Sequence, residues 1–167
     1  MTEKQRHPNV VNRNDVTPMP MQKGKHQMKL RRLGAAAGGQ ILGANLTEVA
    51  PGGISFPFHY HCATEEAIYV LSGTGTARIG EAQVRVAEGD WIAFPPGPDH
   101  PHQMINDGDE PLVYLCISGK VQSVDVVAYP DSNKVAATAG TFEKPLHRWL
   151  SRQGESLDYW DGEPGVE

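Results

Sequence analysis

Two histidines one residue apart, His59 and His61, stand in the stretch GGISFPFHYHCATEEAIYVLSGTG (Gly52–Gly75), and a carboxylate, Glu66, follows them. Side chains at i and i+2 of a strand share a face, so both imidazoles project together while Phe58 and Tyr60 project the other way. Two adjacent imidazoles are awkward to bury unless something binds both. Glu66 shares a strand face with Ile68 and Val70, which points its carboxylate inward with an apolar lining behind it. An unpaired inward carboxylate is expensive in a small β domain. A divalent metal held by the two imidazoles and Glu66 removes both costs together. Glu65, the competing acid, falls on the other face.

A second cluster, GDWIAFPPGPDHPHQMIN (Gly89–Asn106), supplies His100 and His102, again two apart. Pro101 between them has no backbone donor, so a strand ladder is expected to resume at His102. From there His102, Met104 and Asn106 face one side. Either histidine is a candidate further ligand, and the strand after the turn favours His102 over His100.

Other residues read as structural. Arg78 and Arg85 could hold a phosphate or carboxylate, but they alternate with apolar neighbours and fit a solvated exterior. Met104 and Ile68 are expected to line the cavity, Tyr69 to pack on the opposite face, and Trp91 and Phe94 to belong to the core. Asp90 caps a tight turn. Cys62 reads as a small buried side chain facing away from the histidines, and His7, His26 and His147 as solvent-facing.

The elements that must position these residues are short strands. The chain has 167 residues, 39% hydrophobic and 21% charged, with 18 glycines and 13 prolines and few long helical patterns. That composition points to one domain built of strands and turns. Candidate strands follow one another at EEAIYVLSG, TARIG, AQVRVAEGD, WIAFPPG, HQMIN and LVYLCIS, with a hairpin turn expected at Gly80-Glu81. Roughly eight antiparallel strands of this kind form a sandwich or closed barrel.

Residues 1–28 read as an extended N-terminal arm, 29–120 as the barrel, and 121–167 as a C-terminal extension packing on the barrel or on a partner subunit. VDVVAYP could add a strand within that extension, and Trp149, Tyr159 and Trp160 are expected to pack down.

The formal net charge of −5 argues against non-specific binding to nucleic acid or anionic membrane. No apolar run reaches the length of a membrane span or a signal-peptide core. Two cysteines, Cys62 and Cys116, are too few for a disulfide framework, which fits a cytoplasmic protein with reduced thiols. No phosphate-binding glycine loop, serine nucleophile elbow or DNA-binding helix pattern is present.

Gly53, His59, His61, Glu66 and Gly73 match the first motif of the cupin superfamily, G-x5-H-x-H-x3-4-E-x6-G. Gly89, Pro95 and Gly97 match the start of the second, G-x5-P-x-G-x2-H-x3-N. Counted from Gly97 the second motif's histidine is His100; counted back from Asn106 it is His102, so the chain carries a two-residue insertion relative to the pattern. The chain resembles small single-domain cupin type-2 proteins of the sugar-phosphate-isomerase-like kind.

That resemblance implies an all-β fold, a double-stranded β-helix jelly roll, which generally dimerises. It also implies one divalent metal ion per chain, held by His59, His61, Glu66 and His102. Iron, nickel, manganese and zinc all suit such ligands. Two coordination positions would stay open for water or a bidentate substrate.

The expected function is that of a metal-dependent small-molecule enzyme of isomerase or oxygenase type. The alternative is a binding protein that uses the metal as a ligand anchor without turnover. The expected partners are a small molecule and a second copy of the chain.

Overall fold

The computed structural model describes residues 6–119, 124–140, 145–154 and 156–164. Thirteen strands run through the described residues, with one four-residue helix (α1, Leu33–Ala36) and two 3-10 turns. A six-stranded antiparallel sheet takes the order β1 (Met19–Lys23), β2 (His26–Arg31), β3 (Leu42–Val49), β10 (Leu112–Gly119), β5 (Glu65–Ser72), β8 (Trp91–Phe94). A three-stranded sheet, β7 (Ala82–Ala87), β6 (Thr74–Ile79), β9 (His102–Ile105), closes over it. The third sheet is β13 (Pro145–Arg152), β12 (Lys134–Gly140), β11 (Val124–Tyr129), β4 (Tyr60–His61). The fold is an all-β jelly roll. The β1–β2 hairpin lies largely within the stretch read from sequence as an arm.

Alternation along the strands decides what is inside. On β5, Ile68 and Val70 are buried while Tyr69 and Leu71 face out, so Glu66 points inward with the apolar pair. β10 lies against β5 with Ser118 opposite Glu66, Cys116 opposite Ile68 and Tyr114 opposite Val70, which turns Tyr114 and Cys116 to the same interior. Met28, Val49, Ile68, Val70, Ala77, Val86, Phe94, Met104, Leu112 and Tyr114 form one core cluster. The hairpin expected at Gly80-Glu81 is present as a two-residue connection, with Ile79 opposite Ala82.

The motif glycine Gly73 sits where a side chain could not. Gly73 has φ +82°, and a Cβ there would run into the carbonyl of Pro111. Asn106, fully buried, donates to the carbonyls of Val49 (2.8 Å) and Glu110 (2.9 Å) and accepts from the Gly108 N–H (3.1 Å). It clamps the loop after β9 and leaves the chemistry to others.

Several side chains depart from the expected placement. Phe94 is core, but Trp91, three residues earlier on the same strand and so on the opposite face, is 59% exposed. Cys62 is exposed rather than buried. Trp149, Tyr159 and Trp160 are exposed in the single chain rather than packed down. His26 is half-buried, its Nδ1 bonded to the Ser55 carbonyl. Asp90 does cap its turn, accepting from the Ala87 N–H at 2.7 Å.

Candidate metal centre

His59 and His61 lie at the short strand β4, where an antiparallel bridge pairs His59 with His102 at the start of β9. The pairing is held by reciprocal backbone bonds, His59 N to His102 O at 3.2 Å and His102 N to His59 O at 2.8 Å. Glu66 reaches the same point from β5. Its Oε2 stands 3.8 Å from His59 Nε2, 3.4 Å from His61 Nε2 and 3.3 Å from His102 Nε2. One ligand atom each from His59, His61 and Glu66 lies within 4.8 Å of the others. His102 adjoins this trio, its ring centroid 4.7 Å from that of His59. The His100 carbonyl accepts from His102 Nδ1 at 3.0 Å.

The far nitrogen of each ring is already engaged. His59 Nδ1 meets the Pro57 carbonyl at 2.8 Å, His102 Nδ1 meets the His100 carbonyl, and His61 Nδ1 meets a carboxylate oxygen of Asp125. A carbonyl can only accept, so it sets the proton of His59 and of His102 on Nδ1. The Nε2 lone pairs of those rings, with that of His61 when neutral, converge on an anionic oxygen. When all three rings are neutral, these converging acceptors call for a cation. The donor set, imidazole nitrogen and carboxylate oxygen, suits a divalent transition metal.

The electrostatics carry the same message. Burial, helped by the neighbouring His102, lowers the pKa of His59 to about 4 despite the pull of Glu66, so its ring is neutral near pH 7. Burial also resists charging His61, but the hydrogen bonds to Asp125 and Glu66 outweigh it and raise its pKa to about 9. A proton on His61 thus supplies the positive charge that the cluster needs. Burial works against the Glu66 carboxylate too, yet the neighbouring His102 and His61 imidazoles hold its pKa well below the usual range.

The walls are partly aromatic. Phe94 lies flat on His102, centroids 3.7 Å apart and planes 10° off parallel, and Tyr129 stacks on His59 at 6.1 Å. The Cys116 Sγ sits 3.9 Å from Glu66 Oε1 as a thiol donor, and burial followed by the Glu66 charge raises its pKa, so it stays protonated. Met104 and Ile68 are buried in the core cluster. Arg78 and Arg85 are engaged elsewhere: Arg78 makes two bonds to Asp131 (2.7 and 3.0 Å) over the Phe58 ring, and Arg85 pairs with Asp107.

Sequence reading missed Asp125, Tyr129 and Cys116. Cys116 could have been found, because it shares a face with Tyr114 on an apolar strand. Asp125 and Tyr129 are brought in by the pairing of β11 with β4, across more than sixty residues of chain, and no local pattern marks them.

Residues 45–118 match the family model of the cupin domain, Cupin_2. An uncharacterized protein of Methanocaldococcus jannaschii is 36% identical over 70 residues, which span 42% of this chain and 54% of that relative. Thus the chain matches only about half the length of that relative.

A crystal structure from Acidithiobacillus ferrooxidans, of a protein provisionally named a sugar phosphate isomerase, superposes with TM-score 0.78 and 27% identity, covering 90% of this chain and 96% of that one. A sugar phosphate isomerase of a cupin superfamily from Silicibacter pomeroyi superposes with TM-score 0.77 at 22% identity, covering 91% and 98%. Both likenesses extend beyond the matched domain to nearly the whole chain. Motif glycines, inward histidines and jelly-roll topology agree with these comparisons: residues 45–118 of this chain form a cupin domain of the Cupin_2 type.

Proposed function

We propose that this chain binds one divalent metal ion through His59, His61, Glu66 and His102, and that it is a metal-dependent small-molecule enzyme of isomerase or oxygenase type. The observation that carries the reading is the convergence of three Nε2 atoms on Glu66 Oε2, with the Nδ1 atoms committed elsewhere. Iron, nickel, manganese or zinc would suit the donors, and such an ion supplies Lewis-acid polarisation of substrate oxygens or a place for oxygen to bind. The chain's own residues keep the site dry on the Phe94 and Met104 side and hold a thiol proton at Cys116 beside Glu66.

A second reading, a binding protein that anchors its ligand on the metal without turnover, is favoured by one feature. Among the described residues, the acids near the cluster are already committed: Glu66 to the histidines, Asp125 to His61, Asp131 to Arg78. No free general base stands beside the proposed ligands.

The name of the Acidithiobacillus protein motivates phosphorylated sugars as probes. Elemental analysis of protein purified without added metal tests the site. About one ion per chain, lost in His61→Ala and in His102→Ala but kept in His100→Ala, supports the assignment; no ion in any of them overturns it. The metal-loaded protein is then mixed with phosphorylated aldoses and ketoses and followed by NMR. Interconversion supports the enzyme, whereas shifted resonances without product support the binding protein.

We also propose a homodimer in the cytoplasm. Leu146, Trp149 and Leu150 on β13 are exposed in the single chain, and both cysteines are free thiols. Light scattering on a size-exclusion column reads the dimer directly. Among the described residues no helix is long and apolar enough to cross a membrane.

A further inference from the structure

His59 and His102 are steadied by carbonyls two residues away, a contact that each strand provides for itself. His61 is different. Its Nδ1 partner, Asp125, lies 64 residues further along, on β11 in the C-terminal extension. β11 reaches it by pairing with β4, Val127 opposite His61 and Ala128 opposite Tyr60, so that Asp125, Val127 and Tyr129 share the face of His61.

Both oxygens of Asp125 are used. Oδ2 accepts from His61 Nδ1, and Oδ1 accepts from the Ala63 N–H at 3.1 Å. Ala63 belongs to the four-residue connection between His61 and Glu66. One carboxylate thus orients an imidazole and clamps the loop that sets the spacing between two acidic or basic members of the cluster. A carboxylate behind a histidine ligand fixes its tautomer and strengthens it as a donor.

We infer that Asp125 is a positioning residue for the metal centre, so that the C-terminal extension takes part in holding the ion. The inference rests on the metal-binding reading above. It makes metal affinity depend on a strand outside the two motif clusters.

Full-length protein stripped of metal is titrated with Co2+ against a fluorescent chelator, and the visible absorption of the cobalt-loaded protein is recorded. The variants are Asp125→Asn, Asp125→Ala and His61→Ala, and circular dichroism checks that each metal-free chain is folded. Asp125→Ala is expected to bind Co2+ about 10–100-fold more weakly. Asp125→Asn, which keeps an acceptor for the Ala63 N–H, is expected to fall between it and wild type, with a shifted cobalt band in both. Should Asp125→Ala fail to fold, Asp125→Asn decides through its band and its affinity. Wild-type affinity and an unchanged band in the folded Asp125 variants, with binding lost in His61→Ala, would overturn the inference alone. Wild-type binding in His61→Ala as well would remove the metal reading, and the inference with it.

Discussion

At the scale of single residues, an aromatic ring does two jobs. Phe94 is 2% exposed and lies against the His102 imidazole, so it belongs at once to the core and to the wall of the site. Phe94→Ala should cost about 3–5 kcal/mol of stability, the range for emptying a buried aromatic position, read from urea denaturation of the metal-free protein. It should also weaken Co2+ binding, because the ring that fixes one face of His102 is gone. Wild-type stability in this variant would contradict the packing described here. Phe94 could be placed from the sequence, since burial of an aromatic at this strand end was expected. Its stack on His102 could not, because the two residues come from different sheets.

Among the elements, the turns carry the most specific constraints. Gly73 joins β5, which carries Glu66, to β6, which pairs with the His102 strand. Its φ of +82° is a left-handed conformation, and a Cβ would also meet the Pro111 carbonyl. Gly52, with φ +72°, has open space around its missing side chain. Gly52→Ala should therefore show only backbone strain of about 1–2 kcal/mol, whereas Gly73→Ala should lose more because strain and clash add. Equal losses in urea denaturation would mean that the clash relaxes at no cost. Gly73 stands in the sequence as part of a motif. Which of the two glycines is also crowded is a property of the neighbouring β10 segment, far away in the chain.

For the molecule as a whole, binding at a site drawn from several strands should couple to folding. His59 and His61 come from the β4 region, Glu66 from β5 and His102 from β9, and β11 closes in behind His61. An ion bound at 100 times its Kd adds about 2.7 kcal/mol to the folded state. For a chain of this size that corresponds to a rise in Tm of about 5–10 °C. Removing the ion with a chelator should lower Tm by that amount, and restoring it should bring the value back. The His61→Ala protein should show no response to either step. A chelator-insensitive Tm in the wild type would argue against a bound ion.

Local chemistry sufficed for the core of the site. The i, i+2 rule oriented His59 with His61, alternation turned Glu66 inward beside Ile68 and Val70, and the glycine-punctuated short strands declared an all-β fold, because each of these follows from residues near one another in the chain. Tertiary structure alone decided what lies behind and across from them. It brought Asp125 to His61, laid Tyr129 on His59, aimed Cys116 at Glu66 and left Trp91 outside while Phe94 went in. Those outcomes depend on which strand pairs with which and in what register, and strand pairing is chosen by burial summed over the whole barrel rather than by any segment's own preference.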